Sequence, residues 1–170
     1  MTAQRQERNG NFLVSLGIAV ITILAALGPF VGRFAAEAAT TERVVVNRYS
    51  GLAIEGFDPV AYFIDRQPVL GSPDFEASQA GAVWRFRNEG NRASFVAHPE
   101  VYGPQFGGYD PVDVARGVTF AGNPRFWVIA DDRLYLFGLE EHRDEFAVDP
   151  DRFVQPALVR WPKLEQTLAQ

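Results

Sequence analysis

The sequence predicts an α+β fold: a single domain of two pseudo-symmetric hairpin-plus-helix units behind an N-terminal transmembrane or signal helix. Three observations carry that reading. The first is an internal repeat, in which Gly56-Phe57-Asp58-Pro59-Val60 returns 52 positions later as Gly108-Tyr109-Asp110-Pro111-Val112. One deleted position then shortens the offset to 51, and Gly71, Pro73, Phe75, Phe86, Glu89, Arg92, Phe95 and Pro99 fall on Gly122, Pro124, Phe126, Phe137, Glu140, Arg143, Phe146 and Pro150. Twelve identities in this register between residues 56–102 and 108–153 mark a duplication. Open arrays need several repeats to bury their faces, so two copies imply one closed domain. The second observation is an uncharged apolar run, Phe12 to Gly32, between Arg8 and Arg33. The third is a strand-like hairpin pattern in each copy, followed at the same place by helical spacing.

The apolar run comes first in the chain. At ~1.5 Å per residue its helix reaches about the ~30 Å of a bilayer's hydrocarbon core. A cleavable signal carries a shorter apolar stretch of roughly 7–15 residues before small residues, a role that Ala36-Glu37-Ala38 could serve. The length favours an uncleaved anchor, with a cleaved signal as the alternative. A long domain translocates largely regardless of charge, which places residues 40–160 outside the cytoplasm, in the periplasm, or secreted if the signal is cleaved. Residues 1–39 are then anchor or signal with linker, and 161–170 a C-terminal tail.

Thr40 to Ser50 contains Val44-Val45-Val46 and reads as a linker leading into a short strand. Asp58-Pro59 marks a bend, because proline lacks an amide hydrogen and restricts the residue before it. Phe75 to Ser78 and Val83 to Arg87, joined through Gly81, form the first hairpin; Phe126 to Ile129 and Leu134 to Phe137, flanking Asp131-Asp132-Arg133, form the second. Glu89 to Ala97 and Leu139 to Val148 are helices, ended by Pro99 and Pro150. Glu89/Arg92 and Glu140/Arg143 then lie three residues apart, as ion pairs on a helix do. Phe86, Phe95, Phe137 and Phe146 are the expected core. The tail from Pro162 to Gln170 reads as one more short helix.

Composition excludes several function classes. The chain has no cysteine, hence no disulfide, thiolate ligand or thiol nucleophile. Without residues 1–39 its 16 basic and 21 acidic side chains fall to 13 and 19, a net charge of −6 that argues against a nucleic-acid partner. No Ser-His-Asp set, phosphate loop or spaced acid/base pair stands out, so the expectation is not an enzyme and no cofactor.

Gly51-Leu52-Ala53-Ile54-Glu55-Gly56-Phe57-Asp58-Pro59-Val60-Ala61-Tyr62-Phe63 closely resembles the opening of YHS-domain proteins, as does Pro99-Glu100-Val101-Tyr102-Gly103-Pro104-Gln105-Phe106-Gly107-Gly108-Tyr109 in its proline and glycine spacing. The resemblance runs from about Tyr49 to Phe153. It implies the secreted or membrane-anchored bacterial envelope branch of that family, in a cysteine-less variant. Other branches are small metal-binding modules, whose cysteines correspond here to Ala61, Arg87 and Asn91 in the first copy and to Asp113, Gly138 and His142 in the second. The envelope branch commonly has cysteine where this chain has Asp110. One carboxylate and one imidazole remain, so the expected metal ligands are none, with Asp113 and His142 as the alternative.

The candidate binding residues are Tyr102, Gln105, Tyr109 and Asp110, in a Gly/Pro-rich loop joining the copies that has no counterpart after Phe153, together with His98. Ordered loops on a rigid scaffold often carry function. The aspartates of the two bends are read as bonding to their own turns rather than as a functional pair. His98 and His142 are read as exposed residues on their helices, His142 with little effect on stability. Three functions follow: a non-catalytic, membrane-tethered envelope domain binding a protein partner or small ligand; a residual metal-handling module; or an accessory subunit of a membrane complex, contacted mainly through Phe12 to Gly32.

Overall fold

The structure, a computed structural model, describes residues 42–168. The apolar run at residues 12–32 lies outside them, and no helix among the described residues is long and apolar enough to cross a membrane. The remainder is a mixed helix and strand fold with two small antiparallel sheets.

The two copies have the same order of elements. Each opens with a 3₁₀ turn, Ile54–Gly56 or Gln105–Gly108, and a short helix, α1 (Ala61–Ile64) or α4 (Pro111–Arg116). A hairpin follows, β1 (Ser72–Gln79) with β2 (Ala82–Phe86), or β3 (Asn123–Ala130) with β4 (Arg133–Phe137). Two helices close each copy: α2 (Glu89–Ala97) and α3 (Pro99–Tyr102), or α5 (Glu140–Val148) and α6 (Asp151–Glu165). The hairpin turns are Ala80-Gly81 and Asp131-Asp132, all four residues with positive φ. Two-residue turns of that hand match the natural twist of the strands they join. Both hairpins shift register at the same place, between Ser72 and Glu76 and between Asn123 and Trp127.

The expected core is observed. Phe86, Phe95, Phe137 and Phe146 are fully buried. The ring pairs repeat as well: Phe86–Phe95 at 5.2 Å and Phe137–Phe146 at 5.0 Å, Trp84–Phe95 and Tyr135–Phe146 both at 4.8 Å. Each copy has its own apolar cluster, and β4 divides them, with Leu134 and Leu136 in the first and Tyr135 and Phe137 in the second. Tyr62 joins the copies by donating its hydroxyl to the Pro124 carbonyl at 2.8 Å, with its ring 5.3 Å from Trp127. The ion pairs expected on α2 and α5 are present at 2.7 and 2.8 Å.

Three expectations change. Val44-Val45-Val46 forms no continuous strand but a single bridge, Val46 to Ala53. Val44 enters the first cluster and Val45 the second, so this segment is laid across both copies by burial. Pro99 and Pro150 end one helix and also begin the next, Pro99 at the first position of α3 and Pro150 at the N-cap of α6. The last helix spans Asp151–Glu165 rather than starting at Pro162, and runs through Pro156 and Pro162. Interior prolines cost about 3 kcal/mol each. Phe153, Ala157, Trp161 and Leu164 offset this, lying on one helical stripe and packing into the second cluster.

The loop before Asp110 also has a counterpart, upstream rather than downstream. The 3₁₀ turns at 54–56 and 105–108 are equivalent: positive φ occurs at Ile54, Glu55 and Gly56, and at Phe106, Gly107 and Gly108. Leu52 bridges Val83 as Pro104 bridges Leu134, and Phe57 bridges Leu70 as Tyr109 bridges Ala121. The duplicated unit therefore begins near Gly51 and Gly103.

Candidate functional site

Each Asp-Pro bend buries its carboxylate completely. In the first copy Asp58 Oδ1 accepts the Val60 amide at 2.9 Å, while Oδ2 accepts the Arg87 amide at 2.9 Å and Asn91 Nδ2 at 2.6 Å. In the second, Asp110 Oδ1 accepts the Val112 amide at 2.9 Å, and Oδ2 lies 2.8 Å from both the Gly138 amide and His142 Nδ1. The bond to the aspartate's own turn is the one expected from an Asp-Pro sequence. The other two tie that turn to the end of the hairpin and the start of the helix, so each carboxylate is the knot of its own copy.

His142 corrects the expectation of an exposed imidazole. Its side chain is 11% exposed, whereas that of His98, 3.6 Å from Glu100, is 63% exposed. Residue 142 faces inward because it lies one helical turn before the buried Phe146. An ionised Asp110 offers only acceptors, which assigns the proton to His142 Nδ1. Arg116 Nη1 stands 3.3 Å from Nε2, and Asp113 Oδ2 is 3.8 Å from Nδ1. Burial, and then the negative charge of Asp110, raise the Asp113 carboxyl above its ordinary value, with His142 and Arg116 opposing the shift.

Asp110, Asp113 and His142 bring ligand-type atoms within 4.8 Å of one another. They fit a divalent cation poorly. Asp110 already accepts three donors, Nδ1 is directed to Asp110, and the Arg116 guanidinium stands 3.3 Å from Nε2 and 3.5 Å from Asp113 Oδ1, so Asp113 too is paired with a fixed cation. A tightly held transition metal needs several converging donors without a fixed cation beside them.

The proposed loop surface is mostly interior. Tyr109 and Asp110 are fully buried, the Tyr109 hydroxyl donating to the Glu42 carbonyl, and the ring of the half-buried Tyr102 packs edge-on against Phe63 at 5.4 Å. Gln105 is half-buried. Tyr109 and Asp110 therefore offer no surface to a partner, because the turn they follow is a duplicated structural element. Gly107 shows why the loop is glycine-rich. It has φ 63°, and a Cβ there would lie 1.9 Å from the Arg43 carbonyl oxygen, so only glycine lets the segment after Glu42 cross this turn.

An open cleft of about 770 Å³ lies next to the Asp110 network. One wall is Val45 to Tyr49, the other Val118 to Asn123, with Ile54, Glu55, Gly138 and Leu139 completing it. Gly138 connects the two features: its amide binds Asp110, and the Phe120 ring packs where its Cβ would be, 2.5 Å away. Four large apolar residues of the lining are exposed, Tyr49 at 92%, Val118 at 55%, Leu139 at 49% and Phe120 at 41%. Sequence reasoning missed this surface. Its only sequence signal is Gly138 and Phe120 standing where the first copy has Arg87 and Val69. No family model matches the chain, and neither the curated proteins nor the solved structures contain a significant match.

Proposed function

We propose that the chain is a non-catalytic envelope domain of the YHS type, tethered to a membrane by residues 12–32 with its two pseudo-symmetric units in the periplasm, and that it binds a partner or small ligand in the cleft between Tyr49 and Phe120. The observation that carries this reading is the concentration of exposed apolar side chains around a cleft of ligand-binding size, since soluble surfaces seldom gather them without use. The cleft replaces the Tyr102–Asp110 loop as the binding surface. Binding rather than catalysis is supported by the Asp110–His142 pair, whose free imidazole nitrogen meets a guanidinium instead of a hydroxyl or thiol.

A photo-crosslinking residue at Phe120 or Leu139 of the full-length protein in native membranes tests the site, with Val159 as control. Adducts formed at the cleft positions and absent at Val159 are expected. Equal labelling at all three positions would remove the cleft as the binding surface. The metal-handling alternative rests on the proximity of Asp110, Asp113 and His142. Stoichiometric metal in protein purified without chelator, lost in His142→Ala, would put it first. Co-purification of a membrane complex through residues 12–32 alone would favour the accessory-subunit alternative.

A further inference from the structure

We infer that the small ligand of this cleft is the acyl chain of a bilayer lipid, taken from the membrane that holds residues 12–32; this rests on the tether proposed above. Chain length supplies the first argument. Only nine residues, 33–41, separate the apolar run from Glu42, and fully extended they span about 30 Å. The cleft wall begins three residues later, at Val45. A linker of that length permits the wall that follows the tether to meet the bilayer surface.

The chemistry of the lining supplies the second argument. Val118, Phe120 and Leu139 offer aliphatic and aromatic surface, which an acyl chain matches and a polar metabolite does not. Tyr49, almost wholly exposed, offers an amphipathic ring of the kind that favours the level of lipid headgroups. The volume of about 770 Å³ lies in the range of small-molecule sites, roughly 300–1,000 Å³. Glu55 in the lining and the net charge of −6 outside residues 1–39 disfavour anionic headgroups, so the expected lipid is zwitterionic and its capture insensitive to salt.

The absence of cysteine makes the test direct. Single cysteines at Tyr49, Val118 or Leu139 of the full-length chain, and at Val159 as control, carry an environment-sensitive fluorophore in phosphatidylcholine vesicles containing lipid with a nitroxide on its acyl chain. Quenching at least about twofold greater at the cleft positions than at Val159 is expected. Leu139→Asp, a replacement suited to the N-cap of α5, should lower the quenching of the Tyr49 label without unfolding the domain. Quenching no greater than at Val159, in protein that resists carbonate extraction, overturns the lipid inference and leaves the tether standing. Blue-shifted emission at the cleft without quenching does the same by showing another occupant. Loss of the chain from vesicles on carbonate washing removes the tether and the inference together.

Discussion

The two copies share a frame and differ at the places where the frame is open to chemistry. In both, a buried aspartate ties its own bend, the end of the hairpin and the following helix. The first copy completes that knot with an asparagine amide, has the apolar Ala61 in the next helix, and sends Arg87 out to Asp65 at 2.6 Å. The second copy has His142, Asp113 and Gly138 at the same positions, which introduces two ionisable groups and removes the side chain that would stand where Phe120 lies. The turns differ likewise: Glu55 in the first copy keeps its side chain, whereas Gly107 in the second gives passage to the segment after Glu42. Duplication preserved the backbone knot, and of the three divergent positions around it only Gly138 lines the cleft, whose lining also includes Ile54 and Glu55 of the first copy.

The largest effects are expected in the core. Phe86→Ala and Phe137→Ala should each cost about 4 kcal/mol in denaturant unfolding, because both rings are fully buried against an equivalent phenylalanine. A loss under about 1 kcal/mol in one copy would show that the two cores are not equivalent. Next come the knots. Asp58→Ala and Asp110→Ala leave three donors each without their acceptor and should cost about 3 kcal/mol, with similar values for the two.

Exchanging His142 for the first copy's residue separates the imidazole's role from that of a neutral donor. His142→Ala should cost about 2 kcal/mol, since it strips a buried partner from Asp110, whereas His142→Asn restores the first copy's amide and should recover most of that loss. Equal damage from both would mean that the second knot needs the imidazole itself. The smallest effect belongs to Asp113. Its folded carboxyl titrates above the unfolded one, so its ionisation opposes folding: the penalty is absent below the unfolded pKa, develops as pH rises through the folded one and is full at neutral pH. Asp113→Asn should therefore be slightly more stable than the native chain at pH 7, with the gain vanishing below about pH 4. Thermal unfolding at both pH values checks the sign.

Much of the frame was legible because it is local or repeated. Phe86 and Phe95 are joined by a hairpin end and one helix, and the same spacing recurs at Phe137 and Phe146, so neighbouring pattern and duplication together marked them as core. The bond from each aspartate to its own turn was legible for the same reason, being two residues long. His142 was misread because its partner is 32 residues away, although Asn91 at the same position of the repeat and the spacing to Phe146 pointed inward.

The duplication, the two hairpins, the helices after them and the phenylalanine core follow from local pattern, since turn chemistry, side-chain periodicity and proline each act within a few residues. Contacts between distant segments set the rest: a helix with two interior prolines forms at 151–165, Val44 and Val45 divide between two clusters, Tyr109 and Asp110 are interior, and Tyr49 and Phe120 line one cleft. Those outcomes depend on burial between segments tens of residues apart, where the free energy of packing outweighs local preference and leaves little trace in local pattern.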